Sequence, residues 1–331
     1  MSSQSPPDNG PAPISDSHAA WFAERHQALL TNLERAIKGK NEVLRLALCC
    51  LFAEGHLLIE DVPGVGKTSI AKAVAASIDS SWRRIQFTPD LLPSDITGVS
   101  IWDQHNERFE FHKGPVFANL VLGDEINRAS PKTQSALLEV MEERQVTVDA
   151  VSYPVPQPFL VLATQNPIDL DGTYRLPEAQ LDRFLMRISV GYPDAESEAA
   201  ILDQRAVGGR APALAPVLDA AQVMGMIRIV ARVHVDPEVS RYVVALARAT
   251  RAVPEVRLGL SPRGALAVLR AAQSRAVADG RTYVVPQDVK AVTHAVAGHR
   301  LVLTPEAEVQ GRRVDDLLDG VLASVSVPAP A

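Results

Sequence analysis

One short segment, residues 56–75 (HLLIEDVPGVGKTSIAKAVA), restricts the possible folds more than any other part of the chain. An apolar run at 57–59 enters a glycine-rich turn, the turn ends in Gly66-Lys67-Thr68, and a helix-forming run follows. A phosphate-binding P-loop requires this order of strand, loop and helix. Small residues let successive backbone N–H groups curl around phosphate oxygens, and the positive end of the helix strengthens that field. The segment therefore predicts a nucleoside triphosphate site on an α/β sheet.

Main-chain amides and side chains of the loop are both expected to contact the nucleotide and its metal ion. Lys67 can reach the β- and γ-phosphates, and the Thr68 hydroxyl can ligate Mg²⁺. The full pattern G-x-x-x-x-G-K-[ST] would begin at residue 61, which is Asp61 rather than Gly. Because the cradling amides lie mostly from Pro63 onward, we expect this departure to matter little; the alternative is a glycine-rich turn that happens to contain a lysine. The predicted nucleotide-binding residues of the loop are Pro63, Gly64, Val65, Gly66, Lys67, Thr68 and Ser69.

Composition narrows the class of protein. The chain has 331 residues, of which 47% are hydrophobic, enough for one large domain or two with buried cores. The net charge is −6 and no basic face is evident, so we expect no duplex nucleic acid as a partner. A local basic pore is an alternative that the net charge does not test. Cys49 and Cys50 are adjacent in an apolar run, where a disulfide would be strained, which predicts two reduced core thiols.

Neither a membrane span nor a signal peptide is predicted. No stretch approaches the roughly 18 to 20 apolar residues that a spanning helix needs. The polar, proline-rich start of the chain lacks the apolar centre of a secretory signal. These features favour a cytoplasmic protein.

Three parts are predicted along the chain. Residues 1–17 read as a disordered tail. Residues 18–192 alternate apolar strands with helices, which favours a parallel sheet covered on both faces. Within them, 99–112 and 145–158 are predicted to form hairpins. From 193–331 the strand signals stop and alanine-rich helical segments follow one another, which predicts a second, helical domain.

Acidic residues end a predicted strand at 118–123. Asp124 and Glu125 come directly after this apolar run. Because ligands of open α/β sheets bind at the carboxyl ends of strands, Asp124 would face the P-loop and hold the Mg²⁺ shell. Glu125 would polarise a water for attack on the γ-phosphorus. The alternative is a solvated acidic strand end.

Three further polar residues stand at positions where they could act on a nucleotide. Asn166 ends the next apolar strand and could orient the attacking water, or it could simply begin a turn. Arg183 ends a short helix that begins near Glu178; it could enter a neighbouring subunit's site, or pair with Asp182 or Glu178. Arg263 opens a helix of the second domain and could report the nucleotide state, or be solvated there.

From about residue 34 to 325 the chain resembles the MoxR branch of the AAA+ ATPases. The resemblance rests on EDVPGVGKT (60–68), DEINRASPKTQSALLEVMEERQVTV (124–148), ATQNP (163–167) and GTYRLPEAQLDRF (172–184). It implies a fold of the P-loop NTPase class: an α/β, parallel-sheet AAA+ core with helix-2 and pre-sensor-1 hairpin inserts, plus an all-helical C-terminal lid. The implied roles are Walker A for Lys67 and Thr68, Walker B for Asp124 and Glu125, sensor 1 for Asn166, arginine finger for Arg183 and sensor 2 for Arg263.

The resemblance also places the inserts and the adenine side of the site. The hairpin in 99–112 looks like the helix-2 insert, and the one at 145–158 like the pre-sensor-1 insert. Gly39 and Lys40 resemble the adenine-side motif, although the family more often has Val-Gly-Gln there. Gly123 stands where alanine is commoner in the family, a change from which we expect little consequence.

Members of this branch are implied to hydrolyse ATP with Mg²⁺ in hexameric rings. They are implied to act as chaperone-like remodelling or maturation factors, in complex assembly or in metal or cofactor insertion. They commonly work beside a von Willebrand factor A domain. Its D-x-S-x-S metal motif is absent from this sequence, which predicts that such a partner is a separate chain. The inserted hairpins are the natural surfaces to push on a protein client, since they contain no catalytic signature.

Three alternatives stay open at this point. A metal-chelatase motor subunit would have a similar ATP site, but the DEINRASPKTQ run and the absence of a long insertion favour the MoxR branch. A DNA translocase would show salt-dependent binding to single-stranded DNA. A nucleotide-dependent scaffold without turnover would tolerate Glu125→Gln, and the intact Glu125, Asn166 and Arg183 argue against it.

Overall fold

The structure is a computed structural model that describes residues 13–167, 173–206 and 212–328. Most of the tail predicted over 1–17 lies outside the described residues. The first helix begins at Asp16, earlier than the sequence pattern indicated, because Ser15 closes its start by accepting from the amide of His18. Across the described ranges, no helix is long and apolar enough to cross a membrane.

Helices are the most abundant secondary structure among the described residues, and several begin with the same chemistry. A capping Ser, Asp or Thr is followed by proline at the first helical position at 130–131, 236–237, 261–262 and 304–305. The capping side chain accepts an otherwise unpaired amide, and proline needs no partner for its nitrogen. The helices are α1 (Asp16–Ala36), α2 (Asn41–Phe52), α3 (Lys67–Ala76), α4 (Pro93–Thr97), α5 (Pro131–Glu143), α6 (Glu178–Leu181), α7 (Ala195–Ala206), α8 (Ala220–Val230), α9 (Pro237–Ala252), α10 (Pro262–Ala278), α11 (Pro286–Ala297), α12 (Pro305–Val309) and α13 (Val314–Ser324).

A five-stranded parallel sheet in the order β10-β1-β9-β6-β3 forms the centre of the fold. It confirms the predicted parallel sheet. The strands of the structure are β1 (Leu57–Glu60), β2 (Ile78–Asp79), β3 (Trp82–Gln86), β4 (Gly98–Asp103), β5 (Arg108–Lys113), β6 (Leu120–Asp124), β7 (Gln145–Val148), β8 (Val151–Pro154), β9 (Leu160–Gln165), β10 (Met186–Ile188), β11 (Leu218–Asp219), β12 (Val256–Leu258) and β13 (Val302–Leu303).

Both faces of this sheet are covered, because successive residues of a strand point to opposite sides. On one face Leu120 and Leu122 join a core shared with α1, α2, α3 and the C-terminal helices. On the other face Val121 packs in a second core with Leu137 and Leu138 of α5. The free thiols of Cys49 and Cys50 are buried in the first core, and burial raises the pKa of Cys49 to about 12. They are therefore inert core residues, as predicted.

Both predicted hairpins are present and contact each other. The first pairs β4 with β5, with Val99 opposite His112. The second pairs β7 with β8. Ser100 donates to the Asp149 carboxylate over 2.6 Å, and the rings of Phe111 and Tyr153 lie 4.5 Å apart between centroids.

The helical lid is confirmed. The sequence suggested no strands in this part, but the structure has three short ones among its described residues. β12 pairs antiparallel with β13, and β11 pairs with β2 of the N-terminal part. These strands are two or three residues long, too short to produce a periodic signal in the sequence. The strand β11 of the lid pairs with β2 of the sheet domain, and the first core contains residues of both domains. The lid is therefore packed directly onto the sheet domain.

Candidate functional site

Polar residues gather where four strands of the parallel sheet end. Glu60 of β1 is in register with Gln165 of β9, and Gln86 of β3 with Asp124 of β6. The chain turns from β1 into the loop at 61–66 and enters α3, so the P-loop lies at this edge. The carboxyl edge of the sheet is where ligands of open α/β folds bind.

The P-loop has the backbone shape that an anion cradle requires. Gly64 and Gly66 have φ angles of +86° and +98°, which side chains other than glycine rarely adopt. α3 begins at Lys67, and the amides of 66–68 donate to no acceptor within the described ranges. Pro63, Gly64 and Ser69 are exposed, while Val65 is half-buried. Unpaired amides at the start of a ten-residue helix suit a phosphate.

Lys67 lies across the mouth of this cradle. Its ammonium donates to the carbonyl of Asp61 and, over 3.1 Å, to that of Gln165. Burial lowers its pKa, against the raising effect of nearby carboxylates, Asp61 and Asp124 foremost. The ammonium is thus held by two neutral carbonyls at the loop, and an anionic phosphate would be a stronger acceptor.

Asp124 and Thr68 supply the oxygen atoms that Mg²⁺ prefers. The Thr68 hydroxyl lies 3.2 Å and 3.3 Å from the two carboxylate oxygens of Asp124. Thr164 donates to the same carboxylate over 2.6 Å, and Arg84 pairs with it at 2.6 Å. A hydroxyl and a carboxylate beside a phosphate cradle fit Mg²⁺, which takes few protein ligands and completes its shell with phosphate and water.

Glu125 is held in an unusual conformation next to that pair. Its φ of +57° is left-handed, which is uncommon for a non-glycine residue and costs of order 1–3 kcal/mol. Its amide donates to Thr164, and its carboxylate accepts from Gln86 at 3.1 Å and pairs with Arg128 at 3.0 Å. The backbone thus turns at the strand end, and the carboxylate is fixed by two donors.

Asn166 follows β9 directly and is buried. Its carbonyl accepts from the side-chain amide of Asn127 over 3.0 Å. β9 lies between β1 and β6, so Asn166 stands at the same sheet edge as the P-loop and Asp124. The structure therefore brings Lys67, Asp124 and Asn166 to one edge, as the sequence predicted.

Arg183 and Arg263 form a separate group. Arg183 pairs through Nε with Glu142 at 3.0 Å. The alternative considered from the sequence, an ion pair with Asp182 or Glu178, is therefore not the one that forms. Arg263 pairs with the same Glu142 at 3.4 Å and with Asp182 at 3.7 Å, so it is not simply solvated. In the described structure, no hydrogen bond or ion pair joins either arginine to residues 61–69.

Gly39 and Lys40 lie against the link between β10 and α7. Lys40 donates through its ammonium to the carbonyl of Tyr192 over 2.6 Å. A Cβ on Gly39 would come within 2.4 Å of the Ser197 hydroxyl, and the φ of Gly39 is +67°. The left-handed φ favours glycine at this position, whereas the Ser197 side chain could move to admit a Cβ.

Two family models match the chain. The AAA family of ATPases associated with various cellular activities matches residues 56–186, and the AAA lid domain matches 248–321. The chaperone MoxR1 of Mycobacterium tuberculosis is 41% identical over 98% of this chain and 88% of its own length. The chain belongs to the MoxR family of AAA+ ATPases. YeaC of Bacillus subtilis, whose function is uncharacterised, is 45% identical over 90% of this chain and 93% of its own.

A solved structure shows the same fold as this MoxR chain. A candidate ATPase from Cytophaga hutchinsonii superimposes with a TM-score of 0.87 at 35% identity, covering 95% of this chain and 98% of that one. The likeness extends over both the sheet and the lid. It agrees with the two family models, one of which matches the sheet domain and the other the lid.

Sequence reasoning missed several residues of this MoxR site. Arg84 and Thr164 flank Asp124, Glu142 joins the two arginines, and the carboxylate of Asp61 binds a distant segment. Thr164, Asp61 and Glu142 carried a signal, since each stands in a run used for the family resemblance. Arg84 lies outside those runs, in a segment whose pattern only specified a strand.

Proposed function

We propose that this MoxR chain hydrolyses ATP, with Mg²⁺, at sites shared between adjacent subunits of a ring, and that an isolated subunit hydrolyses it only weakly. The site at the sheet edge supports ATP binding, since it joins an open amide cradle, Lys67 and a hard-oxygen pair. The chain would bind the phosphates with the amides of 64–69 and with Lys67. Gly39 and Lys40 would line the adenine side.

Each site residue has a separate task in this proposal. Thr68 and Asp124 would hold Mg²⁺, which neutralises charge on the phosphates when it is bound. Glu125 would orient a water and accept its proton, and Asn166 would position that water beside the γ-phosphate. Gln86 and Arg128 fix the Glu125 carboxylate until a substrate competes for it.

One observation carries the shared-site proposal: Arg183 and Arg263 converge on Glu142, and within the described residues neither forms a hydrogen bond or ion pair with the P-loop of its own chain. Two cations that stabilise a transferring phosphoryl group must reach its oxygens. Since this pair lies together at a different place from Lys67, the phosphate it serves would belong to the next subunit. Both arginines would then act in trans, and ring closure would be needed for turnover.

ATP hydrolysis by this ring would drive the remodelling of a protein client. MoxR1 is named a chaperone, which favours a chaperone-like remodelling or maturation role here. The β4–β5 hairpin carries Trp102 and Phe109, which are 48% and 68% exposed and stack edge to face. We propose that this hairpin meets the client, and that a separate chain with a von Willebrand factor A domain selects it.

The test is the mass of the protein by light scattering, with and without ATP and Mg²⁺, together with phosphate release from the same samples. A nucleotide-driven shift to about six subunits, with turnover per subunit rising with protein concentration, is the expected result. A monomer whose specific turnover does not depend on concentration would contradict the shared site.

A further inference from the structure

Asp61 occupies the first position of the P-loop pattern, where glycine is usual, and its side chain is fully engaged. We infer that Asp61 is a positioning residue that ties the phosphate half of the nucleotide site to its base half. The inference rests on the proposed ATP site and adds a residue to it. Asp61 does this with two different groups, its main-chain carbonyl and its carboxylate.

The main-chain group of Asp61 serves the phosphate half. Its carbonyl accepts from the Lys67 ammonium, the group that would meet the phosphates. One carboxylate oxygen, Oδ1, also accepts from the amide of Val62 over 2.7 Å, which fixes the direction in which the chain enters the loop. The position of Asp61 therefore sets the position of Lys67 and of the start of the cradle.

The other carboxylate oxygen serves the base half. Oδ2 accepts from the Ser189 hydroxyl at 2.6 Å, from the Val190 amide at 2.8 Å and from the Gly191 amide at 2.6 Å. These residues form the link from β10 to the lid helix α7. The next residue along the link accepts from Lys40, so the segment that Asp61 holds is the one on which the proposed adenine side is built.

The chemistry of this contact requires a carboxylate. Three donors converge on a single oxygen, and a charged acceptor makes stronger hydrogen bonds than a neutral one. Burial opposes ionisation of Asp61, but the hydrogen bonds from Ser189, Gly191, Val62 and Val190 together hold its pKa below the usual range. Glycine would leave both link amides without this acceptor, and an asparagine amide group turned toward them would present a donor to donors.

Asp61→Asn leaves the main-chain carbonyl that holds Lys67 and one side-chain oxygen for the Val62 amide in place. A ligand that uses both halves of the site should therefore depend on the Asp61 carboxylate, and a ligand that uses only the P-loop should not. ATP is of the first kind, and inorganic tripolyphosphate is of the second. The comparison separates the proposed role from simple damage to the P-loop, because a distorted cradle would weaken both ligands alike.

The experiment is calorimetric titration of the full chain with ATP and with tripolyphosphate, each with Mg²⁺. Asp61→Asn should weaken ATP binding by about tenfold or more, the effect of losing charge-assisted hydrogen bonds, and change tripolyphosphate binding by no more than about twofold. Lys67→Ala should weaken both ligands. Asp103→Asn is the matched control, since Asp103 also accepts a main-chain amide, that of His105 at 2.8 Å, but in the β4–β5 hairpin; it should change neither.

A second variant keeps the test decisive if Asp61→Asn fails to fold. Ser189→Ala removes one donor and leaves both link amides bound to Asp61. It should weaken ATP binding by about two- to fivefold, in line with one lost hydrogen bond, and leave tripolyphosphate unchanged.

The possible failures are distinguishable. Equal losses for both ligands, or no loss for either, would overturn the role of Asp61 while wild-type binding of ATP upheld the proposed site. Wild-type protein that binds neither ligand would overturn the ATP site and the inference together.

Discussion

Arg183 and Glu142 form an ion pair in which the guanidinium Nε lies 3.0 Å from a carboxylate oxygen. The ion pair is made through Nε, and no hydrogen bond from the two terminal nitrogens of Arg183 is found among the described residues. The same carboxylate reaches Arg263 at 3.4 Å, so it also offsets the repulsion between the two cations. In the proposed shared site, Glu142 would orient both arginines and leave the outer fork of Arg183 for phosphate oxygens.

Glu142→Gln should therefore slow hydrolysis with little change in ATP affinity. A neutral amide neither offsets the repulsion between the arginines nor holds both in place, whereas the phosphate cradle lies elsewhere in the subunit. We expect kcat to fall by about tenfold or more, in the range found for loss of a positioned charged group. Phosphate release and calorimetric ATP binding measure the two effects. Glu143→Gln is the neighbouring control and should retain kcat; a faster Glu142→Gln enzyme would mean that Glu142 restrains the arginines.

Mixing two inactive variants tests whether the arginines act on the next subunit. Arg183→Ala should bind ATP and hydrolyse it poorly, while Lys67→Ala should not bind ATP. In a mixed ring, an Arg183→Ala subunit has an intact P-loop, and a neighbouring Lys67→Ala subunit offers it an intact arginine. Phosphate release should recover partly at that one type of interface. If activity stays at the level of the separate variants at every mixing ratio, action in trans is wrong.

Replacement of the proposed base separates binding from turnover. Glu125→Gln keeps the shape of the side chain and can still accept from Gln86, but it cannot take a proton from water. We expect ATP affinity close to wild type, a loss of kcat of about 10²-fold or more, and a larger ring fraction with ATP, since hydrolysis no longer releases the nucleotide. Light scattering and phosphate release report these outcomes. Normal turnover would remove Glu125 as the base.

Local sequence order was sufficient to predict the sheet edge of the site. Strand β1 leads into the loop, and Asp124 and Asn166 each follow an apolar strand, so the parallel sheet itself brings them together. The two hairpins were predicted for the same reason, because the alternation and the turn lie within one short segment. Such features depend on neighbours in sequence, which a single chain displays directly.

Contacts between distant segments could not be predicted in this way. The Asp61 carboxylate binds amides that lie far along the chain, and Glu142 meets Arg183 only because α5 packs beside the short helix α6. Nothing in the pattern around either acid distinguishes it from a solvated one. The pairing of β2 with β11 is similar, since each strand has only two residues and gains its partner from the packing of the lid.

Arg300 is predicted to be a main determinant of how the lid sits on the sheet domain. It is buried after α11, pairs with Asp182 at 2.7 Å, and donates to the carbonyls of Phe184 at 2.7 Å and Leu185 at 3.1 Å. Arg300→Met would leave these acceptors unpaired and should lower the free energy of unfolding by about 3–5 kcal/mol. Urea unfolding measures the change. Arg241→Met, which breaks only an exposed pair with Glu238, is the control and should change stability little.

His56 should make the protein less stable in mild acid. Its Nδ1 accepts from the amide of Val161 at 3.0 Å, so Nε2 carries the proton and donates to the carbonyl of Met141 at 3.1 Å. The ring is buried, and burial, with Arg144 nearby, lowers its pKa to about 4 from the usual 6.5. The folded state therefore resists a proton that the unfolded chain accepts. This contribution to stability is fully present above pH 6.5 and is lost as the pH falls toward 4.

The measurement is urea unfolding of wild type and His56→Gln at several pH values between 7.5 and 4.5. Within the window from pH 6.5 to 4, one extra proton on the unfolded wild-type chain steepens its loss of stability by up to about 1.4 kcal/mol per pH unit. The variant should be less stable than wild type at pH 7.5, because glutamine does not reproduce both ring contacts, and the gap should narrow as the pH falls. His26, whose pKa is also lowered to about 4 by burial, titrates in both proteins and cancels in the comparison. Parallel curves for the two proteins would show that the His56 ring does not titrate differently on unfolding.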